Sequence, residues 1–140
     1  MEQEGVMREI LFRGKLVYNG WWVEGGFYKE PKDDIKDGLS YIITASLSYA
    51  GNAEQVHQET VGQFTGLVDR NGKRVFEGDI LQWVDEDNTC EGTKLIFIVK
   101  FDGEYEGFFG EGEFDNIEPW QFRSHEIIGN IHDNKMEDIK

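Results

Sequence analysis

The side chains best suited to chemistry gather at Asp85-Glu86-Asp87-Asn88-Thr89-Cys90-Glu91, where closely spaced carboxylates resemble the start of a calcium loop. Such a loop needs glycine at its sixth position and a carboxylate at its twelfth. Cys90 and Ile96 stand there instead, which argues against the cation. Cys90 as a nucleophile fares no better, because the acidic neighbours Asp85, Glu86, Asp87 and Glu91 oppose formation of a thiolate. The histidines are His57, His125 and His132; their spacing matches no zinc pattern, and one cysteine supplies no ligand pair. No metal and no cofactor is expected. The glycines from Gly103 to Gly112 lack the Lys-Ser/Thr step and following helix of a phosphate cradle, and Glu104, Glu106, Glu111 and Glu113 would repel a phosphate. No carboxylate pair is singled out as an acid and base, so no catalytic residue is expected and the chain reads as a non-enzyme.

What remains for function is recognition. The formal net charge is -14, from 28 acidic against 14 basic residues. Nucleic-acid affinity rests largely on Lys and Arg neutralising phosphates, so direct DNA or RNA binding is not expected. The same charge suits docking on a basic protein, or imitation of a nucleic acid that blocks a host DNA-binding enzyme. Adjacent tryptophans in a strand face opposite sides, so one of Trp21 and Trp22 should point away from the local core and serve as an interface anchor. The expected interaction residues are Trp21, Trp22, Asp85, Glu86, Asp87, Tyr105, Phe109 and Glu111. An enzyme that uses a carboxylate or histidine in a cleft is the remaining alternative.

These residues need a scaffold, and the sequence pattern describes a β one. A chain of 140 residues fits one domain with a core large enough to need no staples. No segment approaches the roughly 20 apolar residues of a membrane helix, and Met1-Glu2-Gln3-Glu4 is unlike a signal peptide, so a cytoplasmic setting with no membrane partner is expected. Residues 1–7 read as a flexible leader and 135–140 as a polar tail around a single domain over 8–134. Tyr18-Asn19-Gly20 between apolar runs predicts a first hairpin with a type I′ turn, and Gly25-Gly26 predicts a bend in its second strand. Tyr41-Ile42-Ile43 reads as a further strand. Ser46 to Ala50 could extend it, and Asn52 to His57 admit a turn of helix.

The most legible stretch is Glu59 to Leu81, ETVGQFTGLVDRNGKRVFEGDIL. It holds two strands around Asp69-Arg70-Asn71-Gly72, then Gly78-Asp79 leading into a strand at Ile80–Val84. Leu95 to Val99 is the most apolar run and reads as a central strand covered on both faces, and His125–Ile131 as a closing strand. Short strands at even spacing with little helical periodicity predict an all-β barrel or sandwich.

Three segments resemble the YopX family of small phage- and prophage-encoded proteins: Arg8 to Lys15 with Trp22-Val23-Glu24-Gly25, the Thr60 to Ile80 phrase, and Ile128-Gly129-Asn130-Ile131 with Asp133-Asn134. The resemblance implies a protein of the bacterial host cytoplasm with an SH3-like small barrel over residues 59–134, onto which an N-terminal hairpin sheet over 8–58 would pack. It implies no assigned biochemical activity and carries no catalytic residues. It is compatible with a protein that binds itself, as a homo-oligomer, or binds a host protein through an acidic, aromatic surface.

Overall fold

The computed structural model describes residues 9–33, 38–44, 52–87, 89, 92–104 and 107–134. The expected leader, the polar tail, the extension over Ser46–Ala50, and the candidates Cys90 and Tyr105 lie outside the described residues. The chain divides into two compact units, Met1–Phe64 and Thr65–Lys140.

The first unit is built on β1 (Phe12–Lys15), β2 (Trp22–Lys29), β3 (Ser40–Thr44) and β4 (Asn52–Val56), all antiparallel. Asn19-Gly20 turns the first hairpin, through a longer loop than the expected type I′ turn. The Leu16 amide donates to the Trp21 carbonyl and the Gly20 amide to the Leu16 carbonyl, both at 2.8 Å. Gly20 at φ 77° takes the left-handed position that ends the four-residue loop. At Gly25-Gly26 the second strand changes partner: Gly25 opposes Phe12 of β1, and Gly26 opposes Ile43 of β3. A Cβ on Gly25 would lie 2.1 Å from the Ile43 carbonyl oxygen, so the bend needs glycine there.

Residues 52–56 form strand β4 rather than the turn of helix their composition admits, because pairing with β3 from Thr44↔Asn52 to Ser40↔Val56 satisfies their backbone. A bridge between Leu16 and Val56 ties β4 back toward β1, with Val56 packed on Gly14. Ile42 and Val56 are buried, and Phe12 and Phe27 stack with ring centroids 5.5 Å apart.

Strand β5 (Gly62–Val68) pairs with β1 through Gly62 and Gln63, then leads through Asp69–Gly72 to β6 (Arg74–Phe76), giving the order β4-β3-β2-β1-β5-β6. The second unit holds β7 (Asp79–Trp83), β8 (Ile96–Asp102), β9 (Gly107–Gly112), β10 (Asn116–Ile117) and β11 (His125–Asn130) in the antiparallel order β10-β9-β8-β7-β11. Its core is Val75, Leu81, Phe97, Val99, Ile117 and Phe122, with Leu67 and Ile127 packed against it. As the apolar run predicts, β8 is the middle strand of this sheet, but it is not covered on both faces: Leu95 is exposed and Ile96 and Ile98 are only partly buried, because they line an open groove.

The fold is all-β and antiparallel, yet among the described residues no sheet closes into a barrel, which corrects the SH3-like barrel that the resemblance implies. In the second unit β10 and β11 remain the two edges. Strand β10 is only two residues long, and Glu118-Pro119 turns the chain into a 3-10 segment, Pro119–Ser124, in which the Glu118 amide donates to Gln121 Oε1 at 2.9 Å. Proline at the first position of that segment has no N–H to extend a ladder, and the chain leaves the sheet after Ile117.

Candidate functional site

The glycines between 107 and 112 form strand β9, not a ligand loop. Gly110 and Gly112 lie opposite Val99 and Phe97, and their missing side chains make room for the core. A Cβ on Gly110 would approach Ile117 to 2.6 Å, and one on Gly112 would approach the Phe97 ring to 2.6 Å and the Asp115 carbonyl to 2.5 Å. Because β9 is slimmed in this way, the chain beyond it folds tightly through Glu113-Phe114-Asp115 into β10. An open groove of about 580 Å³ results, lined by Leu95, Ile96, Phe97, Ile98 and Phe114 on the apolar side. Lys94, Glu111, Glu113 and Asp115 form its polar lining. Phe114 is 86% exposed and Leu95 is also exposed, so the groove carries apolar surface that the fold leaves in water.

The sequence-predicted residues divide among several places. Glu111 lies in the groove, where its carboxylate meets Lys100 Nζ at 2.6 Å across the β8–β9 pair. Phe109 is only 7% exposed, so its ring belongs to the interior and does not face a partner. Asp85 accepts from the Thr89 amide at 3.2 Å, and Glu86 meets Arg70 Nη1 at 3.0 Å; Asp87 is exposed beside them. Asp85 and Glu86 therefore answer nearby donors. Among the described residues no cluster of His, Cys, Asp and Glu could hold a metal ion.

Trp21 and Trp22 separate as the strand alternation requires. Trp21 is 71% exposed, whereas Trp22 is half-buried beneath Arg13 Cζ, 4.7 Å from the ring centroid, and Lys15 Nζ, at 5.6 Å.

The histidines are spread out. His125 is 3% exposed and packs edge-on to Phe97 with centroids 5.3 Å apart. Its Nδ1 lies 2.8 Å from the Gln121 carbonyl, and since a carbonyl only accepts, Nδ1 carries the proton. Burial pushes the imidazole pKa below its usual value, against the opposing pull of that carbonyl, and this side chain is a packed core group. His57 is exposed with Glu59 at 3.9 Å, and His132 lies near Gly78.

Sequence reasoning missed the weight of Phe114 and Leu95. The available signal was an aromatic residue set between Glu113 and Asp115 in a turn, where a core residue has nowhere to go. It also missed the reach of Asp69. This carboxylate is 2% exposed; Oδ1 accepts from the amides of Asn71 at 2.8 Å and Lys73 at 2.9 Å, and Oδ2 from Ile127 at 3.0 Å. One side chain closes the β5–β6 turn and pins β11 beside it.

These features define a small, open-sheeted, antiparallel β protein that presents an acidic and aromatic surface and, among its described residues, has no helix long and apolar enough to cross a membrane. The chain belongs to the YopX family: the model of the YopX protein matches residues 11–136, nearly its whole length. It is also similar in structure to protein EF1440 from Enterococcus faecalis, solved as a crystal structure, with a TM-score of 0.56 and 23% sequence identity over 91% of this chain and 96% of that one. At that identity the likeness shows a shared fold. No curated protein sequence matches the chain.

Proposed function

We propose that this protein is a non-enzymatic docking protein of a phage or prophage, acting in the cytoplasm of a bacterial host cell, whose groove between β8 and the β9–β10 turn takes an apolar side chain from a basic protein segment. The observation that carries this reading is the exposed apolar lining of Leu95 and Phe114 set beside Glu113 and Asp115, with Glu111 paired to Lys100, and with Lys94 as the one base of the lining. The acidic lining supplies long-range attraction and selects the sign of the partner, while the apolar lining supplies affinity once water leaves. The non-enzymatic part is supported by the packed state of His125 and by the local engagement of Glu86 and Glu111. That engagement also gives no support to mimicry of a phosphate backbone.

The test uses two synthetic peptides, each with one tryptophan, flanked by Lys and Arg in one and by Glu in the other. The wild-type protein should bind the basic peptide, more weakly as salt rises, and the Phe114→Ser variant should lose most of that binding. Equal binding of both peptides, or of neither, would overturn the proposal.

A further inference from the structure

The second unit fixes the point from which the chain leaves its last strand. After β11 the chain doubles back: the Asn134 amide donates to the Asn130 carbonyl at 3.0 Å, and Asn134 Oδ1 accepts from the Asn130 amide at 3.1 Å. This turn lays Asn134 over Gly129, where an added Cβ would lie 2.5 Å from Asn134 Oδ1. Opposed residues of antiparallel strands point to one face, and Gly129, Ile80 and Ile98 are opposed in turn across β11, β7 and β8. Asn134 therefore stands on the face where Ile96, Ile98 and Glu111 line the groove. The next row on that face, Glu126, Gln82 and Ile96, is only partly buried at each position, which gives a route across β7.

The residues that follow Asn134 are Lys135-Met136-Glu137-Asp138-Ile139-Lys140, outside the described residues, and their apolar members are Met136 and Ile139. Neighbouring strands lie about 4.8 Å apart and a strand rises about 3.3 Å per residue, so Ile98 is about 10 Å from Gly129, Leu95 about 10 Å further along β8, and the direct span about 14 Å. An extended chain covers about 3.3–3.6 Å per residue, so Ile139 can stand up to about 17 Å from Asn134, and Met136 only about 7 Å. Reach thus selects Ile139.

We propose that the side chain of Ile139 occupies the groove of its own chain, against Leu95 and Phe114, and that a partner must displace it. The displacement rests on the docking reading above; the contact itself rests on reach and apolar character. Leu95 and Phe114 are the lining that the fold leaves in water, and one aliphatic side chain covers them without help from charge. A linker whose reach just matches the span gives an effective concentration of about the millimolar order, so the contact needs little affinity of its own. A partner then meets a groove that is free only part of the time, and its apparent affinity falls by that fraction.

The test compares the full chain with its Ile139→Ser and Met136→Ser variants, using amide NMR signals of Leu95 to Ile98 and Glu111 to Asp115 and the affinity for the basic tryptophan peptide. Ile139→Ser should move these signals, by the same amount at every protein concentration, and should tighten peptide binding by about three- to tenfold as the occupant is lost. Met136→Ser should do neither. Groove signals unmoved by Ile139→Ser, a shift that disappears on dilution, an equal effect of Met136→Ser, or equal peptide affinity in wild type and Ile139→Ser would overturn the proposal. The two readings fail separately. If Ile139→Ser moves the groove signals and the peptide binds neither protein, the contact within the chain stands and the docking reading fails; if the peptide binds both equally and the signals stay in place, the groove is a docking site and Ile139 is not its occupant.

Discussion

Replacing Asp69 with alanine is the sharpest test of how the second unit is held together. The carboxylate is almost fully buried and accepts from three backbone amides, at 2.8, 2.9 and 3.0 Å. A hydrogen bond to a charged group is worth about 1.5–3 kcal/mol, and a buried donor left without a partner costs a similar amount. The three amides are not equivalent. Those of Asn71 and Lys73 belong to exposed turn residues, where water can replace the lost oxygen, so each should cost about 1 kcal/mol, as at a lost helix cap. The amide of Ile127 lies in strand β11 against the core, where replacement is poorer and about 2 kcal/mol is expected.

Asp69→Ala should therefore destabilise the protein by about 3–4 kcal/mol, a large part of the 5–15 kcal/mol typical of a domain. Asp69→Asn should cost less, about 1–3 kcal/mol, since its carbonyl oxygen can keep the two turn amides while its NH2 group faces the Ile127 amide as a second donor. Urea denaturation gives both values from the midpoint, with the slope as a check that unfolding remains two-state. Amide exchange at Ile127 reports the third bond directly. A loss below about 1 kcal/mol in the alanine variant, in the range of ordinary surface substitutions, would refute the argument. Equal losses in the two variants would refute the division of labour between the oxygens.

Three further expectations come from other parts of the chain. Gly112→Ala should lower stability by about 1–3 kcal/mol in thermal melts, because its Cβ meets the Phe97 ring and the Asp115 carbonyl, while Gly103→Ala, with open space around it, should stay within about 0.5 kcal/mol. His125 is held neutral by burial, so its folded-state pKa lies below the ordinary value near 6.5. The unfolded chain then binds the proton more readily: this contribution to stability is complete above about pH 6.5 and falls as pH drops through that value. His125→Phe should flatten the pH dependence of the urea midpoint below pH 6.5, and an unchanged slope would count against a buried neutral imidazole. Trp22→Ala should cost about 1–2 kcal/mol through lost packing and lost contact with Arg13 and Lys15, whereas Trp21→Ala should leave the melting temperature of the monomer nearly unchanged.

Local chemistry made much of this protein readable before its fold. Asn19-Gly20 and Asp69-Arg70-Asn71-Gly72 mark their hairpins because few residues accept a left-handed turn position, and Gly20 and Gly72 do adopt positive φ, at 77° and 83°. The apolar run from Leu95 to Val99 marks the middle strand because such a run of large apolar residues favours a strand paired along both edges, although Leu95 itself stays exposed. The separation of Trp21 from Trp22 follows from the two-residue period of a strand alone. The family, too, could be recognised from these same segments, since turn signals and strand lengths are what a shared fold leaves in a sequence.

The rest depended on partners distant in the chain. Phe109 and Phe114 are the same residue type five positions apart, and one is interior while the other stands in water, because β9 places the first against the fold and the turn after Gly112 carries the second away from it. Nothing local distinguishes a strand glycine at 110 or 112 from a loop glycine until Ile117 and Phe97 are seen to fill the space above them. Whether the last sheet closes was decided by the two-residue length of β10 and the turn at Pro119, a matter of which edge meets which. The sequence by itself determined the β character, the turns, the alternation of faces and the acidic charge, all properties of neighbouring residues. Only the tertiary structure decided that Asp69 would reach Ile127, that His125 would be buried and that Leu95 and Phe114 would line one groove, because those outcomes depend on which distant backbones approach within a few ångströms.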